Sequence, residues 1–221
     1  MTFELAALDM AGTTVQEGGA VYAALDQAVA AHLGRPVPAD VLHRWTGTSK
    51  HEAVAGLLTE LTGTAPAADV ETVYADFTVR LTKAYAADPP KPVPGVPEAI
   101  AELRAAGVKV VLQTGYSRDI AGPILDSLDW TVDGLVTSDD VAASRPAPYM
   151  IFHAMELAGV TSVDRVLVAG DTPNDLAAGR NAGARYVVAV TTGASTATDL
   201  GRHPHTHLLE SAADLPALIR R

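Results

Sequence analysis

The stretch "LAALDMAGTT", residues 5–14, is an apolar run that ends in one carboxylate, Asp9, and continues into small and hydroxyl residues. Short apolar runs without polar alternation are typical of buried parallel strands. In doubly wound sheets, ligands bind at the carboxyl ends of such strands. The stretch therefore predicts a strand that delivers Asp9 to a functional site. Two positions later, where a second acid would serve proton transfer, the chain has Ala11.

Similar apolar runs recur along the chain and alternate with helical patterns. The segment "VPEAIAELRAAG" (96–107), for example, has apolar residues at helical spacing and ends in a glycine, as helices often do. This alternation predicts an α/β fold with an open, doubly wound parallel sheet. The predicted strands are residues 3–8, 108–113, 134–137, 165–169 and 186–190, with a weaker one near Leu208.

Residues 18–87 break this alternation, because they contain three amphipathic helical patterns and no convincing strand. They predict a helical cap domain inserted after the first strand, over the edge of the sheet where ligands bind. The proline-rich segment 88–95, "DPPKPVPG", predicts the return linker. Residues 1–17 and 88–221 are then expected to form the α/β core domain.

Composition excludes several classes of function. The 221 residues carry a net charge of −10 and no basic run, which argues against a nucleic-acid partner. The chain has no cysteine, which excludes disulfides and thiol chemistry. Neither a signal-peptide pattern nor an apolar run long enough for a bilayer is visible, so no membrane partner and a cytoplasmic location are expected.

Polar side chains follow four of the predicted strands: Asp9, then Thr114, Arg145, and the pair Asp171 and Asp175. Each alone could be a capping or turn residue. Together they are expected to meet at one edge of the sheet, where three carboxylates would repel one another unless a cation lay among them. Hard oxygen ligands favour Mg²⁺. A threonine hydroxyl and a guanidinium suit phosphoryl oxygens, so the set predicts phosphoryl transfer through an aspartyl-phosphate.

The motifs "DMAGTT", "QTGYS", "SRPAP" and "GDTPND" occur in the order found in the haloacid dehalogenase superfamily, and the chain resembles that superfamily over nearly its whole length. The resemblance implies a Rossmann-like core with a helical cap and a Mg²⁺-dependent hydrolase of small-molecule phosphates or phosphonates. It also implies a metal held by Asp9, the Ala11 carbonyl, Asp171 and Asp175.

A narrower resemblance is to phosphonoacetaldehyde hydrolases, which also have alanine at the acid position and arginine in the third motif. Their cap supplies a lysine that forms a Schiff base with the substrate aldehyde, and Lys50 in "WTGTSKHEAV" matches it. The resemblance implies that Asp9, Lys50, Thr114 and Arg145 are catalytic. It would explain Ala11, since a carbon–phosphorus bond has no oxygen leaving group to protonate.

The smaller residues of these motifs are assigned to substrate binding. Gly12 is expected to let the chain turn after the first strand, and the Thr13 amide to cradle the phosphoryl group. Gly47 is expected to bend the cap loop near Lys50. Ala11, Gly115 and Tyr116 complete the predicted set.

The chain also departs from this pattern. The phosphonoacetaldehyde hydrolases have a histidine three residues after the lysine, where this chain has Ala53, and His51 directly follows Lys50. Related phosphatases and mutases use a cap cation only to bind an anion. Three functions stay open: a phosphonatase-like hydrolase, a phosphoglycolate phosphatase-type phosphomonoesterase, and a non-catalytic phosphate-binding protein. A homodimer through the cap is a further possibility implied by the resemblance.

Overall fold

The computed structural model describes residues 3–128 and 130–219. Six strands form one parallel sheet in the order β5-β4-β1-β6-β7-β8, and two very short strands, β2 and β3, pair antiparallel beside it. The eight strands are β1 (Leu5–Asp9), β2 (Val15–Gln16), β3 (Lys91–Pro92), β4 (Lys109–Gln113), β5 (Gly134–Val136), β6 (Val166–Gly170), β7 (Tyr186–Val190) and β8 (His207–Leu209).

The sheet separates two apolar cores, because successive side chains of a strand point to opposite faces. In β1, Ala6 and Leu8 belong to one core, whereas Leu5 and Ala7 belong to the other. Both faces of the strand are thus buried, which explains the unbroken apolar runs of the sequence. The predicted doubly wound α/β fold is confirmed.

Helices cover both faces of the sheet. The helices outside residues 18–87 are α5 (Val96–Ala105), α6 (Arg118–Leu128), α7 (Tyr149–Ala158), α8 (Pro173–Ala182), α9 (Ala197–Leu200) and α10 (Pro216–Ile219). Buried residues of α5 and α6 pack in the core of Leu8, and buried residues of α7 and α8 pack in the core of Leu5. The two short C-terminal helices α9 and α10 were not predicted, because four residues are too few to show helical periodicity.

Between β2 and β3 the chain forms α1 (Ala20–Leu33), α2 (Ala39–Arg44), α3 (Lys50–Thr62) and α4 (Ala67–Ala87). The predicted helical character of this segment is confirmed, while its division from the core as a separate domain stays a prediction. Two details differ from the prediction. The six-residue helix α2 was too short to recognise. The linker contains β3, which pairs with β2, so the chain segments that enter and leave the helical region are hydrogen-bonded to each other.

Among the described residues, every helix is too short or too polar to cross a bilayer.

Candidate active site

Three adjacent strands bring the predicted polar groups to one edge of the sheet. Asp9 is the last residue of β1, Thr114 follows β4, and Asp171 follows β6, while β1 lies between the other two strands. Asp175 lies in the first turn of α8, where it and Thr172 form a reciprocal capping box. The parallel sheet therefore gathers at one place residues that are far apart in the sequence.

Asp9, Asp171 and Asp175 form a buried carboxylate cluster whose nearest oxygens all lie within 4.8 Å of one another. Asp171 is held by the Thr13 hydroxyl at 3.1 Å and by the Ala194 amide at 2.6 Å. Burial raises the pKa of Asp9 to about 7, and burial together with Asp9 raises that of Asp171.

These pKa shifts mean that the cluster favours an additional positive charge. Hard carboxylate oxygens in a compact buried group suit Mg²⁺, so Asp9, Asp171 and Asp175 fit the metal site that the sequence predicts. The structure shows the donors, and the identity of the metal stays a prediction.

Arg145 is the cation closest to this cluster. Its Nη1 donates to Asp9 Oδ1 at 2.6 Å and also contacts Asp175, and its side chain is almost fully buried. Burial lowers the pKa of the guanidinium, but Asp175 and Asp9 outweigh this and hold it above the usual range. Arg145 is therefore a fixed charge that orients the Asp9 carboxylate.

Lys50 lines one cavity together with Asp9 and Arg145. It is the first residue of α3, and the Ser49 side chain caps the N-terminus of that helix. Only 5% of the residue is exposed, and its Nζ donates to the Thr48 carbonyl at 2.9 Å. The ring centroids of Tyr22 and Tyr116 lie 5.3 and 6.0 Å from Nζ. Burial, and then the charge of Arg145, lowers the pKa of Lys50 to about 8. With this pKa about a tenth of the amine is neutral at pH 7, far more than for an ordinary lysine, and the neutral form is the nucleophile.

The helical segment 18–87, the predicted cap, contacts the α/β core next to Lys50. The backbone amide of Lys50 donates to the Gly115 carbonyl at 3.2 Å, and Asn174 of α8 donates to the Thr46 carbonyl at 2.7 Å. Gly47 has a φ of +79°, and a Cβ there would lie 2.2 Å from Thr172 Oγ1. The predicted bend at Gly47 is present, and the close approach of cap and core explains the glycine.

A narrow cavity lies between these groups. Residues of the helical segment and of the α/β core both line it. The predicted site residues among them are Asp9, Ala11, Gly47, Lys50, Thr114, Gly115, Tyr116 and Arg145. The other lining residues are Val21, Tyr22 and Thr172. A buried carboxylate, a guanidinium, a threonine and a buried amine thus line one small space. This is an arrangement for phosphoryl transfer beside an amine.

Two predicted residues, Gly12 and Thr13, are not among the residues that line this cavity. The Gly12 amide donates to the Val15 carbonyl at 2.8 Å, and its φ of +84° makes the predicted sharp turn. The Thr13 amide donates to the Met10 carbonyl at 3.2 Å, and the Thr13 hydroxyl donates a hydrogen bond to Asp171. Gly12 therefore shapes the loop and Thr13 holds Asp171 in this structure, and the contact of both residues with substrate stays a prediction.

Sequence reasoning missed Tyr22 and Thr48. Tyr22 lies in α1, its hydroxyl accepts the Gly47 amide at 3.1 Å, and its ring faces Lys50. Nothing in the local pattern distinguishes this tyrosine from an ordinary packing residue. The hydroxyl of Tyr116 is 2.9 Å from that of Tyr85 in α4, a second core–cap contact that only the folded chain shows.

Comparisons with known proteins agree with this geometry. A family model for haloacid dehalogenase-like hydrolases matches residues 3–183. A phosphonoacetaldehyde hydrolase of Bacillus cereus (strain B4264) is 33% identical, over 88% of this chain and 78% of that protein. One from Parabacteroides distasonis is 41% identical over a shorter stretch, 52% of this chain and 44% of that protein.

Among solved structures, a phosphonoacetaldehyde hydrolase-like protein from Oleispira antarctica superposes with a TM-score of 0.84 at 23% identity, covering 100% of this chain and 92% of that chain. That likeness concerns the fold. The family match over most of the chain, together with the relative from Bacillus cereus, shows that the chain belongs to the haloacid dehalogenase-like hydrolases.

Proposed function

We propose that this hydrolase cleaves the carbon–phosphorus bond of phosphonoacetaldehyde, or of a closely related short aldehyde phosphonate, with Mg²⁺ as cofactor. The observation that carries the proposal is the buried amine of Lys50 in the same cavity as Asp9, beside Ala11 in place of an acid. The relatives named as phosphonoacetaldehyde hydrolases support it.

The first step belongs to Lys50. Its neutral amine attacks the aldehyde carbon, and the resulting carbinolamine loses water to give a protonated imine. The aromatic rings of Tyr22 and Tyr116 next to Nζ suit this cation, because aromatic faces attract positive charge. The imine then acts as an electron sink.

The second step belongs to Asp9. Its carboxylate attacks phosphorus, the carbon–phosphorus bond breaks, and the bonding electrons move into the imine to form an enamine. The phosphoryl group stays on Asp9 as an aspartyl-phosphate. In this proposal Arg145 and Thr114, which line the cavity, bind the phosphoryl oxygens, and the hydrogen bond of Arg145 to Asp9 supports its role in orienting the carboxylate. No alkoxide forms, so Ala11 needs no acidic side chain.

The last steps release the products. Protonation of the enamine carbon regenerates the imine, and water hydrolyses it to acetaldehyde and the free Lys50 amine. Water also hydrolyses the aspartyl-phosphate to inorganic phosphate and Asp9. Asp9, Asp171, Asp175 and the Ala11 carbonyl would hold Mg²⁺, whose charge offsets that of the phosphoryl group.

The direct test is phosphate release in the presence of Mg²⁺, with phosphonoacetaldehyde and phosphoglycolate compared at equal concentration. The proposal predicts a strong preference for phosphonoacetaldehyde that disappears in Lys50→Arg, which keeps the charge but forms no stable imine. A preference for phosphoglycolate would instead make Lys50 an anion-binding residue and the protein a phosphomonoesterase. A cytoplasmic location and a homodimer through the cap stay predictions beside this proposal.

A further inference from the structure

Buried polar atoms of three residues next to the carboxylate cluster lack a hydrogen-bond partner among the described residues. They are Oε1 and Nε2 of Gln113, Oγ of Ser144, and Nε of Arg145. Gln113 is 0% exposed, Arg145 2% and Ser144 5%. Leaving a buried polar group unpaired destabilises the folded state, so such a group in a native protein calls for an explanation.

Sheet register places the Gln113 side chain on the face of the sheet over which Arg145 reaches Asp9. Gln113 ends β4 and pairs with Asp9 at the end of β1, so both side chains point to the same face of the sheet. By the alternation along β4, this is the face of Val111, on which α7 packs. Arg145 comes from the loop before α7 and reaches Asp9 over this face.

The four atoms are chemically complementary. The Nε–H of Arg145 is a donor, and Oε1 of Gln113 is an acceptor. The Nε2 group of Gln113 is a donor, and the Ser144 hydroxyl oxygen can accept. One relay, from Arg145 Nε–H to Gln113 Oε1 and from Gln113 Nε2–H to Ser144 Oγ, would pair all of them.

We infer that Gln113 is a positioning residue, whose amide holds Arg145 through its Nε–H and is itself held by Ser144. With Nε fixed by Gln113 and Nη1 bound to Asp9, the guanidinium plane is held from two sides. The inference applies to any reaction at Asp9, and does not depend on the identity of the substrate.

The relay also connects to the cap. The Ser144 amide donates to Oε1 of Glu52 in α3 at 3.0 Å, two residues from Lys50. Ser144 is thus bound to the closed cap by its backbone, while its hydroxyl is available to Gln113. The relay would in this way tie the position of Arg145 to α3, the helix that also carries Lys50.

The test uses NMR of the ¹⁵N-labelled full chain without substrate, so it is independent of the proposed activity. The Nε–H signal of Arg145 is assigned by its loss in Arg145→Lys. In Gln113→Met, which keeps the side-chain length but removes both polar atoms, we expect this signal to shift upfield and its exchange with water to rise about tenfold or more. Gln113→Glu keeps an acceptor oxygen at the same reach and should retain the protected signal.

A matched control is Val111→Ala, which loosens the same face of β4 without touching a polar atom. It should lower the melting temperature and leave the Arg145 signal in place. An unchanged Nε–H signal and exchange rate in Gln113→Met would overturn the inference. If Gln113→Met does not fold, loss of the protected signal in Gln113→Glu, with the fold intact, would overturn it equally.

Discussion

The core and cap sides of the cavity are built in different ways. On the core side, Asp9 and Asp171 are fixed by strand ends, and Asp171 is held by Thr13 and Ala194, which also belong to the core. On the cap side, the position of Lys50 depends on contacts with core residues, such as the hydrogen bond from its backbone amide to the Gly115 carbonyl at 3.2 Å. The difference indicates that the sheet positions the carboxylates, whereas Lys50 is positioned by contacts between the helical segment and the core.

The largest expected effect is on the core side. Asp9→Asn removes the nucleophile, and phosphate release should fall by more than about 10⁴-fold with any substrate. The measurement is phosphate release at saturating substrate and Mg²⁺. Asp126→Asn, on the exposed surface of α6, is the matched control and should retain full activity. Comparable loss in both variants would remove Asp9 from its assigned role.

The cap side should respond most to pH. The Lys50 amine reacts only when neutral, and burial lowers its pKa to about 8, so imine formation should rise by roughly fifty-fold between pH 6 and pH 8 and then level off. Trapping of the imine by borohydride measures this step separately from cleavage. Arg145 also lowers the pKa, whereas Asp9, Glu17 and Asp175 raise it.

Because nearby carboxylates raise the pKa of Lys50, removing one of them gives a second test of the pH dependence. In Asp9→Asn the loss of one carboxylate should move the midpoint for trapping below that of the parent protein. A midpoint near the ordinary lysine value of 10.5 in the parent protein would show that Lys50 is solvated, contrary to the closed cavity.

Ala11→Asp should favour hydrolysis of a phosphate ester over cleavage of a carbon–phosphorus bond. It places an acid at the position that lacks one, and general acid–base help is typically worth about 10²–10⁴-fold. We expect phosphoglycolate hydrolysis to rise by about 10-fold to 10²-fold, because the site was not otherwise built for an ester. Ala11→Asn is the isosteric control without an acid and should give no increase. Equal rates in the two variants would mean that Ala11 does not decide the leaving group.

The smallest expected effects concern Tyr22. Tyr22→Phe removes the acceptor for the Gly47 amide but keeps the ring beside Lys50, and we expect kcat/KM for phosphonoacetaldehyde to fall about threefold. Tyr22→Leu also removes the ring and should cost about tenfold, within the range of a desolvated cation–π contact. Tyr149→Phe, at an exposed position of α7, should change nothing. If Phe and Leu behave alike at position 22, the ring does not assist Lys50.

The same contrast explains what the sequence could predict. Each core group follows a buried apolar run, and strand ends of a parallel sheet meet at one edge, so Asp9, Thr114 and Asp171 could be placed together from the pattern alone. The location of Lys50 in the cap followed from a family resemblance. Its burial at 5% exposure depends on closure of the cap, which no local pattern encodes.

Other features needed the folded chain. Tyr22 lies in α1 and Lys50 in α3, and nothing in the periodicity of α1 indicates that Tyr22 lines a cavity. The hydrogen bond from Thr13 to Asp171 joins residues 158 positions apart. In the sequence Gln113 looks like the end of an apolar strand, and only its complete burial, with no hydrogen-bond partner for its side chain among the described residues, draws attention to it. Such contacts depend on tertiary packing more than on local propensity.

The most direct measurement of the central claim is mass spectrometry after borohydride reduction with phosphonoacetaldehyde, with the peptide that contains Lys50 compared between the parent protein and Lys50→Arg. The proposed imine mechanism predicts one covalent adduct on Lys50, dependent on the aldehyde and absent from the variant. Full phosphate release from phosphonoacetaldehyde with no adduct on Lys50 would contradict it.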